Sequence, residues 1–161
     1  MRSTDLTGEP ARSGVVHRLN TADGIARGMS EQQFHDSVVR ADKWSRILAL
    51  VAAIAVFLLA RELAGDVQFA SIVAATAGIG TRLYIPYHAS VRVPEADRTA
   101  LHDHPVAGDY HHGGAGLALV AASVVALGVF VLGHGIVIAV GVGGMSGSGA
   151  YVVLASALPA G

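Results

Sequence analysis

The chain has 161 residues, 52% of them hydrophobic and only 14% charged, with a mean hydropathy of +0.51. Soluble domains carry about a quarter charged residues, so this composition suits lipid better than water. A formal net charge of −1 excludes a nucleic-acid binder working through bulk positive charge, and the lack of Cys excludes disulfides, thiolate metal sites and cysteine nucleophiles.

Residues 1–29, with scattered Gly, Ser, Thr, Arg and Asp, read as a flexible cytoplasmic tail. No secretory signal peptide is expected, because the first apolar run begins only at Ile47. Ser30-Glu31-Gln32-Gln33 fits a capping box, in which the Ser30 hydroxyl accepts from the Gln33 N–H. Phe34, Val38, Ala41, Ser45 and Leu48 follow at helical spacing. This spacing predicts an amphipathic helix that starts at Ser30, lies at or above the cytoplasmic interface, and runs into the first span.

Ile47–Ala60 is uninterrupted by polar residues and bounded by Arg46 and by Arg61-Glu62. Trp44 and Leu63-Ala64 extend it to membrane length, giving a span at 44–64 in which both arginines snorkel to opposite interfaces. A second span covers 67–87, with Tyr84 and Tyr87 placed for an interfacial belt and Pro86 predicting a kink or helix end near Tyr84. Arg82 is the one charged residue interrupting the second span, expected to reach the interface and pair with Glu95, Asp97, Asp103 or Asp109. Val93-Pro94-Glu95-Ala96-Asp97 reads as the start of a short surface helix ending near Leu101.

From Gly113 to Gly161 there is no Asp, Glu, Lys or Arg, and His134 is the only strongly polar side chain. The run exceeds the roughly 20 residues of one crossing. Its natural break is Gly133-His134-Gly135, giving spans at 114–132 and 136–158. The β-branched residues flanking that turn allow a β-hairpin on propensity, but lipid cannot satisfy its open edges.

The expected fold is an all-α integral membrane protein: four transmembrane helices within 30–161, a loop at 88–112, and a cytoplasmic amphipathic N-terminal extension. Arg and Lys concentrate before the first span and in the loop. This predicts a multi-pass cell-membrane protein with both N- and C-termini cytoplasmic. Arg outnumbers Lys ten to one, which suggests a GC-rich prokaryotic genome.

Two groups of residues invite chemistry. His88, His102, His104, His111 and His112 gather in and around the loop, and imidazoles beside carboxylates suit a divalent transition metal such as Zn²⁺, Ni²⁺ or Cu²⁺. None of the specific metal-ligand spacings is present, and a solvated polar loop accounts for the same residues. In the last span, Gly141, Gly143, Gly144, Gly147 and Ser148 form small-xxx-small pairs that bring helices together. A broken helix lining a cavity is the other structural option.

The stretch Gly144-Met145-Ser146-Gly147 resembles the Gly-x-Ser-Gly around the nucleophile of rhomboid intramembrane serine proteases, over four residues only. That family's base His lies on a later span, whereas here no His follows Ser146. A serine without a base in reach is not activated.

The sequence therefore predicts no catalytic site and no cofactor. The functional expectation is an accessory or structural subunit of a membrane complex, in contact with the lipid bilayer and joined to a protein partner, or to a second copy, through the last span. The alternative is a metal-binding or small-solute transport protein using loop 88–112.

Overall fold

The computed structural model describes the backbone of residues 11–93 and 110–158, and the side chains of residues 32–93 and 112–158. These residues form four helices and no strands: α1 (Ala11–Ala64), α2 (Val67–Val91), α3 (Tyr110–Val131) and α4 (Ile136–Ala157). The β-hairpin option at Gly133–Gly135 is thereby removed. Three segments are long and apolar enough to cross a membrane, namely Gln32–Ala64, His112–Val131 and Ile136–Ala157.

α1 runs for 54 residues without a break, about 81 Å at the α-helical rise. It begins well before Ser30, so position 30 lies inside the helix rather than at its start. Glycines at 14, 24 and 28 made this segment look loose. Each weakens a helix by about 1 kcal/mol relative to Ala but does not end one, and no proline interrupts α1.

Two-residue and four-residue links reverse the chain at one end of the molecule. Gly65 adopts a φ of +67° and closes α1, its N–H donating to the Arg61 carbonyl at 2.9 Å. Asp66 then caps α2, with Oδ1 accepting from the Phe69 N–H at 2.8 Å. Gly133 takes a φ of +92° in the second link, and Gly135 precedes α4 in an extended conformation.

α2 contains Pro86 and continues through it to Val91, so the expected helix end near Tyr84 does not occur. Proline deletes one backbone donor, but the surrounding turn is held by packing. Pro86, Tyr87 and Ser90 are all buried, and the Ser90 hydroxyl donates to the Tyr87 carbonyl at 2.7 Å.

The helices stand in a row rather than a closed bundle: α2 packs between α1 and α3, and α4 rests chiefly on α3. They converge beside the two links, where Phe69, Val73, Ala126 and Ala139 form a buried cluster with Val56, Phe130 and Ile136 against it. Phe69 and Phe130 stack there with ring centroids 4.2 Å apart. Higher up, α2 and α4 form the walls of an apolar groove of about 580 Å³ floored by α3.

At the far end, the stretch read as an amphipathic extension runs without a break into the apolar part of α1 and carries a buried stripe of its own. Phe34 and Val38 are 1% and 0% exposed, with Val93 packed on them, and Ser45 and Ala49 continue the buried stripe. Leu48, expected on that stripe, is exposed instead. The stripe follows residues 34, 38, 45 and 49 because these face α2, whose own helix continues alongside.

Candidate functional site

The polar side chains of the helix row gather at the end away from the links. Gly78 rests on Ala53 and the Ala49 carbonyl, which fixes the register of α1 against α2. Arg82, one turn further along α2, therefore lies opposite the α1 turn that follows Asp42. Its side chain runs outward, and its Nη2 meets Asp42 Oδ1 at 3.3 Å. Arg46 Nη2 meets the other oxygen, Asp42 Oδ2, at 2.9 Å. The expected acidic partners of Arg82, Glu95, Asp97, Asp103 and Asp109, lie outside the described residues. The partner found is Asp42, on the preceding helix. Sequence carried a signal for it: a hairpin folded at Gly65-Asp66 brings the polar turn before Ile47 near Arg82.

Beside this ion-pair cluster, Tyr84, Tyr87 and His88 line the junction of α2 with α3. The Tyr84 hydroxyl and His88 Nδ1 are 3.2 Å apart, and their rings stack at 5.3 Å. Tyr87 is 2% exposed, and its ring lies against Gly113, where any Cβ would collide with it. One turn deeper the α2 and α3 backbones touch: a Cβ on Gly80 would come within 2.6 Å of the Gly116 carbonyl oxygen. Gly80, Gly113 and Gly116 were not among the residues singled out from sequence. The pairs Gly78-Ile79-Gly80 and Gly113-Gly114-Ala115-Gly116 were the available signal.

His88 sits in the last turns of α2, while His111 and His112 belong to the first turn of α3. His102, His104 and the side chain of His111 lie outside the described residues. Among the described residues no three His, Asp or Glu side chains come together as a metal site. The surface helix expected from Pro94 to Leu101 also lies outside them.

The small residues of α4 divide between two faces. Gly143 and Gly147 face α3, where an added Cβ would come within 2.7 Å of the Ala122 carbonyl and 2.8 Å of the Ala122 Cβ respectively. Gly141 and Gly144 meet nothing within 4 Å. Ser148 is exposed beside them, its hydroxyl donating to the Gly144 carbonyl at 2.9 Å. Met145 and Val152 on the same side are 78% and 68% exposed. α4 is continuous through this stretch, so the broken-helix option does not apply.

Chemically, the arrangement offers an ion-pair cluster at one end, Arg61, Glu62 and Asp66 at the other, and mainly apolar surface between them. The hydroxyls of Ser71, Thr76, Thr81, Ser123 and Ser148 each donate to a carbonyl one turn back in their own helix. This is how lone hydroxyls are accommodated in an apolar surround. No buried side-chain nitrogen or oxygen among the described residues lacks a hydrogen-bond partner. Comparison with known proteins finds no matching family model, no matching curated protein and no matching solved structure.

Proposed function

We propose that the chain is a four-span protein of the cell membrane that serves as an accessory or structural subunit, without a catalytic site of its own. The observation that carries this reading is the open helix row. α4 rests chiefly on α3, and the rest of its surface is uncovered: Gly141 meets nothing within 4 Å, and Gly144 and Ser148 line the open groove. Small residues on a lipid-facing helix let a second helix approach closely. An enzyme or transporter would be expected to converge polar groups on an enclosed cavity; here the groove is lined mainly by aliphatic and small residues and stands open.

Three features support α2 as the fourth span. It is sandwiched between α1 and α3, it is joined to α1 by two residues, and its link end lies level with the end of α3 through the Phe69–Phe130 stack. Arg82 does not oppose this, since its guanidinium reaches out to Asp42. Charge distribution supports cytoplasmic termini: among the described residues, Arg40, Lys43, Arg46, Arg82 and Arg92 lie toward one end, and Arg61 alone toward the other.

The test is gentle detergent extraction followed by native electrophoresis. The chain should migrate in a larger assembly, with a partner or a second copy, and Gly144→Leu should release it while Val124→Leu on α3 should not. A wild-type chain that migrates alone as a monomer removes the subunit reading.

A further inference from the structure

We propose that the Asp42–Arg46–Arg82 cluster seats the headgroup of one anionic phospholipid, in the leaflet at that end of the helix row. This deepens the membrane reading above and rests on α1 and α2 crossing the bilayer.

The argument begins with the balance of charge. One carboxylate holds two guanidiniums, Arg46 through Oδ2 and Arg82 through Oδ1, so the cluster keeps an uncompensated positive charge. Each guanidinium has five N–H donors, yet each makes only one hydrogen bond to a described residue. Exposure is distributed to match: the Asp42 side chain is 19% exposed, against 43% for Arg82 and 67% for Arg46. The anion is covered and the cations face outward.

The surroundings suit a headgroup. Lys43 and Arg40 are exposed on the adjoining turns of α1, and neither has an ion-pair partner among the described residues. Trp44 is 55% exposed on that same turn, and tryptophan belongs at the headgroup level. An excess cation in this layer is costly without an anion, because the dielectric is lower than in water. A lipid phosphate is a fixed constituent of the layer, and the planar fork of Arg matches its oxygens in pairs. The chain's own alternative is the set of carboxylates that follow α2 in sequence: Glu95, Asp97, Asp103 and Asp109.

The experiment reconstitutes the full chain in vesicles of phosphatidylcholine and phosphatidylglycerol in equal amounts. Native mass spectrometry after release into mild detergent then counts the lipids that stay bound. Wild type should retain one phosphatidylglycerol in strong preference to phosphatidylcholine. The preference should fall about fivefold for each of Arg46→Gln and Arg82→Gln. It should rise in Asp42→Asn, which frees both guanidiniums, whereas a purely structural ion pair predicts no gain there. Circular dichroism of each variant establishes that the helices persist, and Arg61→Gln at the opposite end should leave the preference unchanged.

Bound lipid in the bulk ratio overturns the proposal, as does equal retention by the Arg46→Gln/Arg82→Gln variant. So does a preference that emerges only after Glu95, Asp97, Asp103 and Asp109 are neutralised, since the chain's own acids then fill the place. A chain that washes off the vesicles in alkaline carbonate instead sinks the membrane reading itself, a separable outcome.

Discussion

The two hairpins of this molecule are held together by different means. In the α1–α2 hairpin polar and large side chains add to the close approach at Gly78: Arg82 pairs with Asp42 across the helices, Asp66 caps the returning helix, and Phe34 and Val38 extend the buried stripe past the charged cluster. In the α3–α4 hairpin there are no charged residues at all. The helices meet through Ala118, Ala122 and Ala126 against Gly143 and Gly147. Lipid supplies no hydrophobic force between two apolar helices, so close backbone approach has to replace it. On the proposed membrane reading, the first hairpin would emerge from lipid at its charged end and use water-compatible chemistry, whereas the second would stay within lipid.

The contact between the hairpins is where this contrast breaks most sharply. Gly116→Val should be the most damaging substitution, since its Cβ would come within 2.7 Å of the Gly80 carbonyl and 2.8 Å of the Tyr84 nitrogen. Backbone cannot yield as a side chain does, and a loss of about 3 kcal/mol, the top of the overpacking range, is expected. Thermal melting in detergent would register it, and a melt like wild type would mean that α2 and α3 do not touch there.

Phe69→Ala comes next. It removes a fully buried ring stacked on Phe130 where all four helices converge. The expected loss is about 2 kcal/mol, below the soluble-core range because lipid rather than water is the alternative surround. Separation of the hairpins in a disulfide cross-linking assay between α2 and α3 would accompany it.

Asp42→Asn should cost about 1 kcal/mol or less, because Arg46 and Arg82 are partly exposed and solvent screens the pair. A melt in high salt sharpens this: wild type should approach the variant as ionic strength rises. Gly144→Ala should have the smallest effect on the isolated chain. Nothing lies within 4 Å of its added Cβ, so stability should stay within about 1 kcal/mol and shift upward, as for Gly→Ala in any helix interior. The matching change at Gly143, on the α3 side, should destabilise.

The same contrast governs how much could be read from sequence. α3 and α4 were legible to within a few residues because a run without charge has one plausible solvent and Gly133-His134-Gly135 marks its only break. The start of α1 was not, because glycine-dotted polar sequence looks the same whether it is coil or exposed helix. Composition drew attention to the glycines of α4, of which Gly143 and Gly147 do meet α3, but contacts at least as tight lie at Gly80, Gly113 and Gly116. Sequence shows how many glycines a helix has, and only the register between helices shows which of them meet a neighbour. Arg82 is the same case. Its charge was visible at once, but its partner stood 40 positions upstream and became readable only with the fold-back point.

The brevity of the Gly65-Asp66 link has a consequence for biosynthesis. On the proposed four-span reading, two residues are too few to let one helix be threaded through the translocation machinery while the other waits outside, so α1 and α2 would partition into the bilayer as a single folded unit. Arg82 would then enter already matched with its carboxylate, and lengthening that link with flexible residues would expose the arginine to insertion alone.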